Sequence, residues 1–178
     1  MSDVSNAVSA NALAELFGAC AWFGALDAQH QALVLATSRA DHVASGAWIA
    51  RRNAPSDYWL GVHAGLLKLA IYNESGRSCT FSGVPPGGWF GEGSVIKREL
   101  RKYDVVAIQP SLVLQVPVDT FHALLSASLP FSHFVIGQLN NRMGEFIASI
   151  QNHRLLDADA RVAQSLACLL YTSPSPRD

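Results

Sequence analysis

Apolar positions recur with two different periods along this chain. From Asn11 to Phe17, the residues Leu13, Leu16 and Phe17 fall on one side of a helix, with Asn11 placed to cap it. Asp27 is placed to cap a second helix, Ala28 to Ser38, with Leu33 and Val34 inward. Trp22 and Phe23 lie between the two and are expected to pack them onto the body. From Asp41 an alternation of about two residues takes over, the period of a strand. Strands are predicted at His42–Ala44 and Ala47–Ile49, broken at Gly46, then at Asp57–Val62, Leu66–Tyr72 and Ser78–Val84. Ala64-Gly65 reads as a turn and Asn73–Arg77 as a hairpin loop. Tyr103–Gln109 and Leu112–Pro117 supply two more strands around Pro110-Ser111. Several short strands at regular spacing predict a sandwich, a jelly roll or a small barrel. Asp119 is then expected to cap a short helix, Thr120–Ser126.

The period returns to that of a helix at Pro130 and holds to about Leu155. Ile136, Leu139, Met143, Phe146 and Ile150 are spaced three, four, three and four residues apart. That is a heptad seam, the pattern of one helix paired with another. An amphipathic helix that only covers the β body gives a similar stripe, and over so few turns the pattern fits both. Val135 and Ile147 widen the stripe, while Phe131, Phe134 and Val135 are left to pack on the body. Asp157-Ala158-Asp159 breaks the helix, and Asp157 is placed to cap another that starts at Ala160.

Composition narrows the classes. The 178 residues are 49% hydrophobic and 15% charged, which suits a buried core and argues against disorder. A net charge of −1 is not that of a complete nucleic-acid binder. No apolar run is long enough to cross a bilayer, and the first residues lack the basic start of a signal peptide. The expectation is a cytoplasmic protein. Cys20, Cys79 and Cys168 are scattered with no CxxC, so no metal site is expected.

The candidate chemistry is concentrated in Pro85-Pro86-Gly87-Gly88-Trp89-Phe90-Gly91-Glu92-Gly93-Ser94. Its glycines permit positive φ and close approach of a ligand, and free N–H groups in such a turn can cradle an anion. Glu92 is the one carboxylate, and Arg101 follows nine residues later, after the basic run Lys97-Arg98-Glu99-Leu100-Arg101-Lys102. A carboxylate and an arginine suit a ligand with both a hydroxyl and a phosphate. A tight turn between strands, followed by a solvated basic loop, explains the same residues. Trp89-Phe90 reads as core packing rather than as a stacking platform for bases. Arg51-Arg52 reads as a solvated hairpin tip.

Four stretches carry a family resemblance. They are Gly65-Leu66-Leu67-Lys68-Leu69, Gly87-Gly88-Trp89-Phe90-Gly91-Glu92, Arg101-Lys102-Tyr103-Asp104-Val105-Val106-Ala107 and Leu155-Leu156-Asp157-Ala158-Asp159-Ala160-Arg161-Val162-Ala163. In order and spacing they resemble the catabolite-activator/FNR (Crp/Fnr) superfamily of transcription regulators. The resemblance implies an α+β chain: a cyclic-nucleotide-binding-type β-roll, or jelly roll, with flanking short helices and a long C-terminal dimerisation helix. Residues 1–129 would form the small helices and the β-roll, residues 130–156 the pairing helix, and residues 157–167 the start of a winged helix-turn-helix. It implies a homodimer through Ile136, Leu139, Met143, Phe146 and Ile150, with DNA read only by a C-terminal domain beyond this chain. It places effector binding at Gly91, Glu92, Gly93, Ser94, Arg101 and Lys102, with Glu92 toward a ribose hydroxyl and Arg101 toward a cyclic phosphate.

The departures are local. Lys102 stands where the family has serine or threonine, and the stretch from Glu92 to Arg101 is about one residue short. The effector is therefore a cyclic nucleotide, another anion, or none. The segment Cys168 to Asp178 breaks the helical pattern and reads as the translation of a sequencing-library adapter. The rival functions are a stand-alone nucleotide-binding module and a metal-dependent cupin-type enzyme. For the latter, the six histidines show no HxH spacing, so no enzyme is expected.

Overall fold

The computed structural model describes residues 9–72 and 78–155. The chain divides into two compact units, Met1–His133 and Phe134–Asp178. The first contains three short helices, α1 (Ala10–Gly18), α2 (Ala21–Gly24) and α3 (Ala28–Thr37), followed by the strands. These are β1 (Arg39–Val43), β2 (Trp48–Ala50), β3 (Tyr58–Ala64), β4 (Leu67–Tyr72), β5 (Ser78–Val84), β6 (Trp89–Phe90), β7 (Asp104–Ala107) and β8 (Ser111–Pro117). A short helix α4 (Glu92–Lys97) stands between β6 and β7, and α5 (Val118–Ala127) follows β8. Helix α6 (Leu129–Leu155) starts in the first unit and forms the described part of the second.

The strands form two antiparallel four-stranded sheets, β1-β8-β3-β6 and β2-β7-β4-β5. Alternation explains the pairing. Leu60, Val62, Phe90 and Val113 of the first sheet and Leu67, Leu69, Val84, Val105 and Ala107 of the second close one apolar core. This is the expected β-roll.

A second cluster is aromatic. Trp22, Trp59, Trp89, Phe17, Phe121 and Phe131 are all buried and meet ring to ring, with Trp59 and Trp89 only 4.1 Å apart. Gly61 makes room for it, since a Cβ there would lie 2.6 Å from the Trp89 ring. Trp89 and Phe90 are thus core residues, as expected. Cys20 borders this region. Burial pushes its thiol up to about 11, against a smaller lowering by a hydrogen bond with Trp89. A thiol held neutral at physiological pH packs rather than reacts.

The helix boundaries correct several expectations. The cap of α1 is Ser9, whose hydroxyl accepts from the Ala12 N–H, and not Asn11. Asp27 does cap α3, accepting from the His30 N–H at 2.8 Å. Helix α5 begins two residues earlier than Asp119 predicts, with Pro117 at its cap. Asp119 instead takes an ion pair from Arg98. Trp22 and Phe23 form a helix of their own rather than a bare connection. The stretch 73–77, the break at Asp157, the helix expected from Ala160 and the segment 168–178 lie outside the described residues.

Gly65 fixes the β3–β4 turn. Its φ is +95°, and an added Cβ would lie 2.6 Å from the Cα of Ser111. The Ser111 hydroxyl also accepts the Leu66 N–H, so that neighbour is held in place. Gly65→Ala is expected to destabilise the chain by roughly 1–3 kcal/mol. A lower denaturation midpoint at constant slope is the readout.

Candidate functional site

The glycine-rich stretch folds as a strand, a left-handed residue and a helix. Trp89-Phe90 pairs with Leu60-Gly61 of β3. Gly91 then turns the chain at φ +89° and caps α4 with its carbonyl, which accepts the Val95 N–H at 3.1 Å. A residue with a side chain is disfavoured at that φ. Glu92 opens α4 and Lys97 ends it, so each charge suits its end of the helix. The end is a Schellman turn: the Glu99 N–H reaches the Ser94 carbonyl at 3.0 Å, and the Arg98 N–H reaches that of Val95 at 3.1 Å. Arg98 holds the left-handed position usual for glycine, at φ +51°. Its guanidinium donates to Asp119 of α5 at 2.8 Å.

Six residues were expected at the site. The structure brings five together and turns one away. Gly91, Glu92 and Ser94 are buried, and Gly93 is half-buried beside them. Arg101 reaches Gly91 from across the following loop. Its Nη1 lies 3.1 Å from where a Gly91 Cβ would stand, so any larger residue at 91 meets the guanidinium. Lys102 is exposed and pairs with Glu99 at 3.2 Å, which places it outside the group. The basic run is therefore partly offset locally, with Lys97 and Lys102 sharing Glu99 and Arg98 reaching Asp119.

Arg101 is held in place by its backbone. Its N–H donates to the Ala54 carbonyl, and its carbonyl accepts the Asn53 N–H, each at 2.9 Å. Its side chain is 5% exposed. Nη2 donates to the Tyr58 carbonyl at 2.7 Å, and Nη1 has no protein acceptor among the described residues. Burial lowers its pKa, and the nearby Tyr103 and Asp57 oppose that. A buried cation with a spare donor is better satisfied by an anion than by water-excluding packing. The chemistry available is therefore anion binding at a glycine turn, with a buried carboxylate, Glu92, close in sequence to that turn. Among the described residues no three His, Cys, Asp or Glu gather as a metal site, and no helix is long and apolar enough to cross a membrane.

Sequence reasoning missed two features here. Helix α4 was hidden by Gly93 and by the glycines that precede it, although Glu92 and Lys97 mark its ends. Arg51 and Arg52 are exposed after β2, as expected of a solvated tip, but the Arg51 guanidinium also lies 3.2 Å over the Trp48 ring and lines a cleft shared with Arg101. No local pattern signals a cleft built from three strands.

Solved structures share this fold. A crystal structure of the Thermus thermophilus catabolite activator protein is 21% identical with a TM-score of 0.61, over 73% of this chain and 61% of that one. A putative transcriptional regulator of the Crp/Fnr family from Eubacterium rectale is 17% identical with a TM-score of 0.73, over 83% of this chain and 69% of that one. The regulatory domain of Toxoplasma gondii PKA, solved with cAMP, is 18% identical with a TM-score of 0.61, over 76% of this chain and 50% of that one. At such identities these likenesses show the fold. The chain spans only 61% of the Thermus activator's length. No curated protein matches the sequence significantly. The family model for the cyclic nucleotide-binding domain matches residues 40–128, a span that runs from β1 to the end of α5 and contains Gly91, Glu92 and Arg101. This chain belongs to the cyclic nucleotide-binding domain family.

Proposed function

We propose that this chain is the sensor and dimerisation part of a Crp/Fnr-type transcription regulator. An anionic effector binds beside Gly91, Glu92 and Arg101, and α6 pairs with its twin. A DNA-binding domain carried beyond Asp157 responds to how the paired helices sit. The observation that carries the reading is the buried Arg101 guanidinium, which lies against the left-handed Gly91 with Nη1 lacking a protein acceptor among the described residues. An effector shifts the dimer only by binding its two arrangements with different affinity.

Calorimetric titration of the chain with cyclic AMP tests the effector. Saturable binding of one nucleotide per chain is expected, and it is to be lost in Arg101→Ala. Absence of binding removes the cyclic nucleotide, and leaves another anion for the same group. The DNA role is tested by reading the gene past the codon for Ala167. A frame that continues into a helix-turn-helix supports it, and one that stops at Asp178 removes it. The second reading is then a nucleotide-binding module with no DNA role. The likeness in fold to a kinase regulatory domain favours that alternative.

A further inference from the structure

Helix α4 carries Glu92 and Ser94 but is only six residues long. So short a helix does not hold in water by itself, because nucleation costs more than its few bonds return. Its hold must come from its neighbours. Its start rests on Gly91, whose carbonyl accepts the Val95 N–H at 3.1 Å. Its end rests on α5. His122 of α5 lies with Nε2 3.0 Å from the Val95 carbonyl, and Asp119 accepts from the Arg98 guanidinium at 2.8 Å. Residues three apart share one face of a helix, so a single face of α5 makes both contacts.

The two contacts differ in weight. Arg98 and Asp119 are both exposed, and an ion pair in water holds little. His122 is half-buried, and Val95 is fully buried. A carbonyl only accepts, so the His122 Nε2 carries the proton and donates. Val95 is thus tied at both of its polar groups: its N–H to Gly91, and its carbonyl to His122 and to the Arg98 N–H. A displacement of Val95 reaches the Gly91 carbonyl through one bond. The base is firm, because Phe121 and Leu124 of α5 are fully buried, and Phe121 meets Trp59 and Phe131 ring to ring.

We propose that His122 is a positioning residue for the glycine-turn group: acting through the Val95 carbonyl, it holds α4 in place, and with it Gly91 and Glu92. The consequence for binding rests on the effector group proposed above. The hold on α4 does not, so the test reads the two separately.

Amide hydrogen exchange, read residue by residue on the full chain without added ligand, tests the hold. The amides of Val95, Arg98 and Glu99 report α4, and those of Leu13 and Ala19 report α1, a helix elsewhere in the same unit. Two variants lack the donor: His122→Leu keeps the bulk, and His122→Ala does not. Each should speed exchange at the α4 amides about three- to tenfold, the loss of one neutral hydrogen bond, with α1 unchanged. His122→Gln sets an amide Nε2 at the same number of bonds from Cβ and should restore the wild-type rates. A thermal melt checks that each variant folds, and either donor-less variant suffices. Equal acceleration in α4 and α1 would mean that His122 stabilises the fold at large, and overturns the proposal. Unchanged α4 rates, or no recovery with His122→Gln, overturn it too. Cyclic AMP is then titrated into the same variants. Binding weakened in the donor-less variants and recovered in His122→Gln supports positioning of the site. Wild-type affinity in a variant whose α4 has loosened overturns it. No binding of cyclic AMP by the wild-type chain counts against the function proposed above, and leaves the exchange result to decide the role of His122.

Discussion

Arg101→Ala is expected to abolish binding of the proposed phosphate-bearing effector by this chain. The side chain is almost wholly buried, and its Nη1 has no protein partner among the described residues. Removing one member of a buried charge-assisted pair weakens binding by about 2–5 kcal/mol, which is roughly 30-fold to several thousandfold. Arg101→Lys keeps the charge and loses the planar fork, so it falls between the two. The fold should survive, because truncation removes a cation that burial disfavours, together with one bond to the Tyr58 carbonyl. Titration on a variant with an intact thermal transition is the measurement. Wild-type affinity in Arg101→Ala would remove Arg101 from the site.

Leu139→Glu with Phe146→Glu turns the proposed dimer into monomers. Ile136, Leu139, Met143, Phe146 and Ile150 are all exposed on the second unit, as is Ile147 beside them. Six large apolar side chains along one helix present a contiguous surface that water disfavours. Burying one of them is worth about 1.5–3 kcal/mol, and a two-fold interface counts each residue twice. Losing Leu139 alone therefore removes about 3–6 kcal/mol, a change of at least about 100-fold in the dimer constant. The second glutamate adds the burial of another charge. Sedimentation at micromolar concentration reads the outcome. A persistent dimer in the double variant would show that the stripe is not the interface.

The fold was largely legible because its signals are local and periodic. Alternating apolar residues placed β3, β4, β5, β7 and β8 within a residue or two, while β1 lies earlier than expected and β6 was missed inside the glycine-rich stretch. A strict helical period placed α6. The misses occurred where context overrides pattern. Ser9 rather than Asn11 caps α1, since both residue types suit a cap and the helix simply starts earlier. Glycines masked α4, because propensity disfavours them in a helix while a buried turn beside β6 favours them. For the candidate site, sequence order alone suggested Gly91, Glu92 and Arg101. It did not signal that Lys102 is exposed and pairs with Glu99, which depends on the partner rather than on its place in the chain. The cleft between β1, β2 and β3 had no signature, because Arg39, Arg51 and Arg101 are brought together only by sheet pairing and loop closure.

The aromatic cluster gives this chain a built-in optical reporter. Trp89 lies two residues before Gly91 and stacks 4.1 Å from Trp59 on the neighbouring strand. Two indoles at that separation share their excited states, so their combined near-ultraviolet signal depends on mutual angle as well as on environment. A small rotation of β6 as Gly91 closes on an anion would change that signal without any added dye. The residue after β6 is Gly91 of the proposed effector group, so binding there would act two residues from Trp89 and be readable in the near-ultraviolet.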